Sequence, residues 1–213
     1  LDRTLKVLDY NYSSNGNIKN FSYELDLKKN DLLKKDIKNI ELKDTKINFK
    51  LNSKKEYVVN KKGKYRIDNG NLQNFELIND SSKNSNTLEI KFDTDQELDI
   101  GIINYKKQKD SLAKITLNIT TKDSIINFKE IEFKENKNLI KFENLKINKK
   151  DFVSLKSLKV KTFIKNNPNN DFEINFSKKI NIKGRKYDAE NLNTLLNKKS
   201  NKNILNNINK DIE

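Results

Sequence analysis

The sequence predicts an all-β fold: an antiparallel β-sandwich, one large or two sandwich-like modules, with a short C-terminal helical or disordered tail. Three observations lead there. Between Ser111 and Lys183 apolar residues recur at every second position, as in Ile115-Leu117-Ile119, Ile131-Phe133, Leu145-Ile147, Leu158-Val160-Thr162-Ile164 and Ile180-Ile182. That is strand spacing, because successive strand side chains point to opposite faces and only one face needs a core. The tripeptide Ile-x-Phe begins at Ile47, Ile90, Ile126, Ile131, Ile140 and Ile174. Each instance sets a β-branched and an aromatic residue on one side of a strand. Finally, hydrophobic residues make up 34% of the 213, which suffices for sheets with one solvated face. Disorder is the competing reading at 35% charge and a mean hydropathy of −0.91. The strand register of the Ile, Leu, Val, Phe and Tyr residues argues against it.

Taken in order, Thr4 to Tyr12 reads as a first strand, closed by the turn-rich Ser13-Ser14-Asn15-Gly16-Asn17. Phe21, Tyr23, Leu25 and Leu27 alternate cleanly, which predicts a first hairpin. Leu33, Ile37 and Ile40 have helical spacing and predict a short helix over Asp31 to Ile40. Ile47, Phe49 and Leu51 return to strand spacing. Two weaker strands follow, Tyr57 to Val59 and Tyr65 to Ile67, with Lys61-Lys62-Gly63-Lys64 as a hairpin loop between them. Further strands fall around Phe75-Leu77, Leu88-Ile90-Phe92 and Leu98-Ile100-Ile102. Pro168, the sole proline, is expected in a loop Asn166 to Asn170, and Gly184 at the end of the last strand. Leu192, Leu195, Leu196, Ile204, Leu205, Ile208 and Ile212 are spaced by three and four, which suggests an amphipathic or frayed helical tail.

The polar stretch Tyr105 to Ser111 divides the chain into three parts: a near-neutral β module over 1–104, a basic β module over 105–186, and a tail over 187–213. Charge follows that division. The net formal charge is +14, of which 101–186 carries +12, 1–100 carries +2 and 187–213 carries none. Of 44 basic residues only Arg3, Arg66 and Arg185 are arginine, and asparagine numbers 36. Lys, Asn and Ile are the residues AT-rich codons favour, so part of this charge reflects the genome. Bidentate readers of phosphate or base edges would call for more arginine.

Cys and His are both absent. That removes disulfides, thiolate metal sites, Ser-His and Cys-His nucleophiles and the usual proton shuttle near neutral pH. No Gly-rich phosphate loop is possible with five glycines so widely separated. No cofactor is expected. No apolar run approaches the length needed to span a bilayer. The chain starts at Leu1 and contains no Met, which reads as a mature or trimmed product.

Two charged features qualify as sites. Asp93, Asp95, Glu97 and Asp99 stand at alternate positions and would share a strand face or converge on Ca²⁺ in a loop. They lack the EF-hand glycine and distal glutamate, so a solvated acidic edge is the plainer reading. Glu130 and Glu132 read as the outer face of the strand carrying Ile131 and Phe133. The basic candidates are Lys159, Lys161 and Lys165, opposite the apolar face of their strand, and the cluster Lys178, Lys179, Lys183, Arg185 and Lys186. Were the two strands neighbours, these residues would form an anion-binding face that holds a polyanion by counterion release. Lysines that discourage sheet aggregation are the commoner reason for such a pattern.

The phrase Phe142 to Lys161, FENLKINKKDFVSLKSLKVK, resembles the strand-turn-strand phrasing of AsmA-type envelope proteins. It covers some twenty residues and carries no catalytic motif, and the family's phrase tends to follow a membrane helix that this chain lacks. The resemblance implies a long β groove that shelters lipid chains.

These readings give three expectations. The first is a non-enzymatic, extracytoplasmic structural or adhesion module (secreted, cell-surface or periplasmic) that assembles with copies of itself or with another envelope protein. In it Thr4 to Tyr12 would complete a neighbour's sheet by strand addition. The others are a binding module for anionic polymers, glycan or nucleic acid, and an envelope lipid carrier with a β groove. An enzyme working with carboxylates alone is the least supported, since no spacing sets two carboxyls across a pocket.

Overall fold

Alternating apolar residues require a sheet that can bury one face, and the computed structural model provides it over the residues it describes, 9–109, 111–149 and 151–191. The protein is all-β and antiparallel. Its strands are β1 (Asn11–Leu27), β2 (Ile37–Asn52), β3 (Tyr57–Ile67), β4 (Gln73–Ser81), β5 (Asn86–Thr94), β6 (Leu98–Ile100), β7 (Tyr105–Lys107), β8 (Ala113–Lys122), β9 (Ile125–Glu135), β10 (Asn138–Asn148), β11 (Asp151–Ser154), β12 (Ser157–Ile164), β13 (Asn167–Phe176) and β14 (Ile180–Lys186). A 3-10 turn, Gly101–Ile103, joins β6 to β7.

Twelve strands form one sheet in chain order, β1-β2-β3-β4-β5-β8-β9-β10-β12-β13-β14, with the short β11 paired to β10. β6 and β7 form a second sheet of two strands. Leu98, Ile103 and Tyr105 from this insert join Ala113, Phe133, Ile140 and Val160 of the large sheet in one buried core, which makes that end of the protein sandwich-like. β5 and β8 pair directly, from Asn86 opposite Thr121 to Thr94 opposite Ala113. The hydrogen-bonded ladder therefore passes across the segment at which the sequence divides the chain.

Two of the Ile-x-Phe phrases meet. Ile131 and Phe133 of β9 stand opposite Phe142 and Ile140 of β10, so each β-branched side chain lies beside a ring, a favourable cross-strand pairing. Turns are cut by residues that accept positive φ: Lys165 (47°) and Asn166 (69°) form the two-residue link from β12 to β13, the pattern whose twist matches that of a hairpin's strands.

Several expected boundaries are corrected. No helix forms over Asp31 to Ile40. The Asn30 side chain accepts hydrogen bonds from the backbone N–H groups of Leu32 and Leu33, Leu33 makes an isolated bridge to Leu98, and β2 begins at Ile37. Ser13 to Asn17 do not turn, because β2 offers a partner to β1 from Asn11 through Glu24 without a register shift. Lys61 to Lys64 lie inside β3, opposite Leu77 to Asn74. Gly63 is required there for contact: a Cβ on it would come within 2.6 Å of Thr45 Cα. The strand at Leu98 stops at Ile100. Pro168 belongs to β13, at a bulge opposite Phe163, where a missing N–H is tolerated. β14 continues through Gly184 to Lys186. The expected tail helices over 192–213, and residues 1–8 of the expected first strand, lie outside the described residues. Among the described residues no helix is long and apolar enough to cross a membrane.

Candidate functional site

The pairing register sets apolar side chains in rows that cross the sheet. One row runs from Phe75 through Phe92, Ile115, Phe133, Ile140, Val160 and Phe172 to Gly184. The next runs from Leu77 through Ile90, Leu117, Ile131, Phe142, Leu158 and Ile174 to Ile182. Side chains two residues apart on a strand share a face, so both rows line the same side.

Their burial differs. The insert covers the first row, where Phe133, Ile140 and Val160 are 7%, 4% and 1% exposed. In the second row every member except Ile182 is half-buried, and Ile182, on the edge strand, is 49% exposed. Among the described residues, the insert closes the apolar face over the first row and leaves the second row half-buried.

A polar latch fastens the insert. Asn170, fully buried, donates through Nδ2 to Ile103 O at 2.7 Å and to Thr162 Oγ1 at 2.9 Å, while its Oδ1 accepts from the Asp188 N–H at 2.9 Å. The Thr162 hydroxyl donates to Asn169 Oδ1 at 2.6 Å. Tyr187 OH donates to Ile102 O at 2.8 Å. The Tyr105 hydroxyl donates to the Glu135 carboxylate, and Asn138 Nδ2 donates to the same carboxylate at 2.9 Å. Burial first, then the Glu135 acceptor and charge, raises the Tyr105 hydroxyl above its usual value. Buried Lys107 donates from Nζ to Gln96 O at 2.8 Å and to Gln108 O at 3.1 Å. Sequence reading missed these residues. The run Asn-Asn-Pro-Asn-Asn is the available signal, and the turn preference of asparagine masks it.

The basic candidates do not meet as one face. Lys159 on β12 stands opposite Glu173 on β13, and Glu173 stands opposite Lys183 on β14. Lys161 stands opposite Asp171, itself opposite Lys186. β13 thus lies between the two lysine-bearing strands and interleaves its acids with their cations. Lys165 is in the β12–β13 turn, Lys178 and Lys179 are in the β13–β14 turn, and Arg185 is the bulged residue between Gly184 and Lys186. Lys161 Nζ lies 5.8 Å from the Phe163 ring centre. Further along, Lys141 bridges Glu130 at 3.1 Å and Glu143 at 3.3 Å. The result is a mixed-charge surface.

The acidic run is dispersed as well. Asp99 pairs with Lys34 at 2.7 Å, Asp95 accepts from Asn71 at 2.9 Å and Asp93 accepts from Asn74 at 3.2 Å. No group of three acidic side chains that could hold a metal ion occurs among the described residues. No family model, curated protein or solved structure matches the chain.

Proposed function

We propose that this chain is a non-enzymatic, extracytoplasmic carrier or shield for an elongated apolar molecule, such as the acyl chain of an envelope lipid. The observation that supports the reading is the second apolar row, one residue per strand from Leu77 to Ile182, half-buried and, among the described residues, not covered by the insert. At about 4.8 Å between strands this row extends roughly 34 Å along the sheet, room for a fatty acyl chain lying across the strands. A contiguous, half-buried apolar strip of that length supports a binding surface for an apolar molecule. The insert, seated over the neighbouring row at Phe133, Ile140 and Val160, gives the strip a wall along one side.

The test is lipid extraction and mass spectrometry of natively purified protein, with titration of a fluorescent acyl probe. Co-purifying lipid is expected, with probe binding abolished by Leu158→Glu and retained by Ile78→Glu, which places the same charge on the opposite face. Empty protein from several preparations together with no saturable probe binding sinks the reading. Circular dichroism of both variants separates lost binding from lost fold.

A further inference from the structure

The apolar face carries a cation at the head of its second row. Lys61 of β3 stands opposite Leu77 of β4 on one side and Ile47 of β2 on the other. Residues directly opposite in a ladder share a face, so Lys61 extends that row by one strand beyond Leu77. It is half-buried, whereas Lys62 and Lys64, on the other face, are exposed. Lys62 has a partner there, Glu76 at 2.5 Å. Lys61 makes neither an ion pair nor a hydrogen bond among the described residues. From β3 to β13 the alternation brings one other charged side chain to this side of the large sheet, Glu135, and the Tyr105 hydroxyl and Asn138 engage it.

A lysine stem can cover apolar surface while its ammonium stays in water, which alone would explain a half-buried Lys61. Two neighbouring features give it a further use. Asn79, diagonal to Lys61 on the same face, buries its Oδ1 without a hydrogen-bond partner, and its Nδ2 donates to no group among the described residues. The row also runs in one direction. Toward β1 it stops at Ile47, opposite Gly16, whereas toward β14 it continues from Leu77 to Ile182. An ammonium and an amide donor at one end of an apolar row are the complement of an amphiphile with an anionic head and one long tail. Hydrogen bonds between an ammonium and an anionic oxygen are charge-assisted, and salt screens them less on a half-buried face than in open solvent.

We propose that the apolar face takes a single-chain amphiphile with an anionic head, carboxylate or phosphate, held by Lys61 Nζ and Asn79 Nδ2, with its tail crossing the strands from Leu77 toward β14. This assignment rests on the carrier reading above and adds the charge and the direction of what is carried.

Displacement of the fluorescent acyl probe by ligands of equal chain length tests it, using hexadecanoate, hexadecyl phosphate and hexadecanol. Wild type is expected to bind at least one of the anions about tenfold tighter than the alcohol, and the tighter anion identifies the head. Lys61→Met keeps the apolar stem and removes the charge, so it should bring both anions to within about twofold of the alcohol. Unchanged alcohol binding shows that the variant is folded. Lys62→Met removes a charge from the other face and should leave the preference intact. Added salt should narrow the preference in wild type. Hexadecanoate with a photoreactive group at its far end should label β5 to β12, as mapped by mass spectrometry. Equal affinity of wild type for alcohol and anions, a preference that survives Lys61→Met, or labelling confined to β1 and β2 would each overturn the assignment and leave the carrier reading standing. Binding of none of these ligands would overturn both.

Discussion

Gly63 on β3 lies flush against Thr45 on β2, so close that a Cβ on the glycine would sit 2.6 Å from Thr45 Cα. Thr45 is fully buried and follows Asp44, whose φ of 45° marks the place where the β2–β3 register shifts between Lys43 and Lys46. The bulge pushes Thr45 over the glycine. Gly63→Ala is therefore expected to cost about 1–3 kcal/mol, the usual penalty of overpacking a fixed backbone. Gly16, with nothing within 4 Å of its would-be Cβ, is the control: Gly16→Ala should be neutral or stabilising by about 0.5 kcal/mol. Urea unfolding of both variants gives the comparison.

The Tyr105–Glu135 pair makes the protein sensitive to alkali. Burial and the neighbouring carboxylate hold the Tyr105 hydroxyl protonated in the fold, so its folded value is raised above the unfolded one near 10. Stability from this group is fully present below that pH and is lost as pH rises past it toward the folded value. Wild type should lose melting temperature above about pH 10 more steeply than Tyr105→Phe. Tyr65, raised mainly by its own burial, leaves a residual slope in the variant. At neutral pH Tyr105→Phe should cost about 1–3 kcal/mol, because Glu135 loses a buried donor.

Asn170 holds the insert through three hydrogen bonds. Asn170→Ala strands the Ile103 carbonyl and is expected to destabilise by about 2–4 kcal/mol in total. Hydrogen exchange should show the gain in opening concentrated at Leu98 to Lys107, with the strands β2 to β4 unchanged. Uniform loss of protection across the sheet would show that the asparagine is not a local latch.

The interleaved acids of β13 set how the basic half meets a polyanion. Neutralising them with Asp171→Asn and Glu173→Gln should raise the salt concentration at which heparin-agarose releases the protein, since Lys159, Lys161, Lys183 and Lys186 lose their cross-strand acids. Unchanged elution would mean that these lysines do not face the polyanion together.

Much of the architecture was legible from the chain alone. A period of two in the apolar residues, repeated through the Ile-x-Phe phrases, specifies strands, and strands joined by short polar links specify an antiparallel sheet. The errors fall where local chemistry met a partner distant in sequence. Ser13 to Asn17 and Lys61 to Lys64 have turn composition, yet β2 runs beside both and pairs with them. Leu33 and Ile37 are spaced as on a helix, yet Leu33 bridges Leu98 across the molecule.

The candidate site was legible only in part. The sequence by itself determined the all-β class, the apolar and polar faces of each strand, and the exclusion of chemistry that needs Cys or His, because these follow from residue type and period. Tertiary structure alone decided the order of strands. That order placed β13 between the two lysine-bearing strands, where Glu173 and Asp171 interrupt the positive face. It also aligned Leu77 to Ile182 into one row, and folded Leu98 to Lys107 over the neighbouring row. Pairing partners far apart in sequence are chosen by the summed fit of whole strands, and no local pattern records that sum.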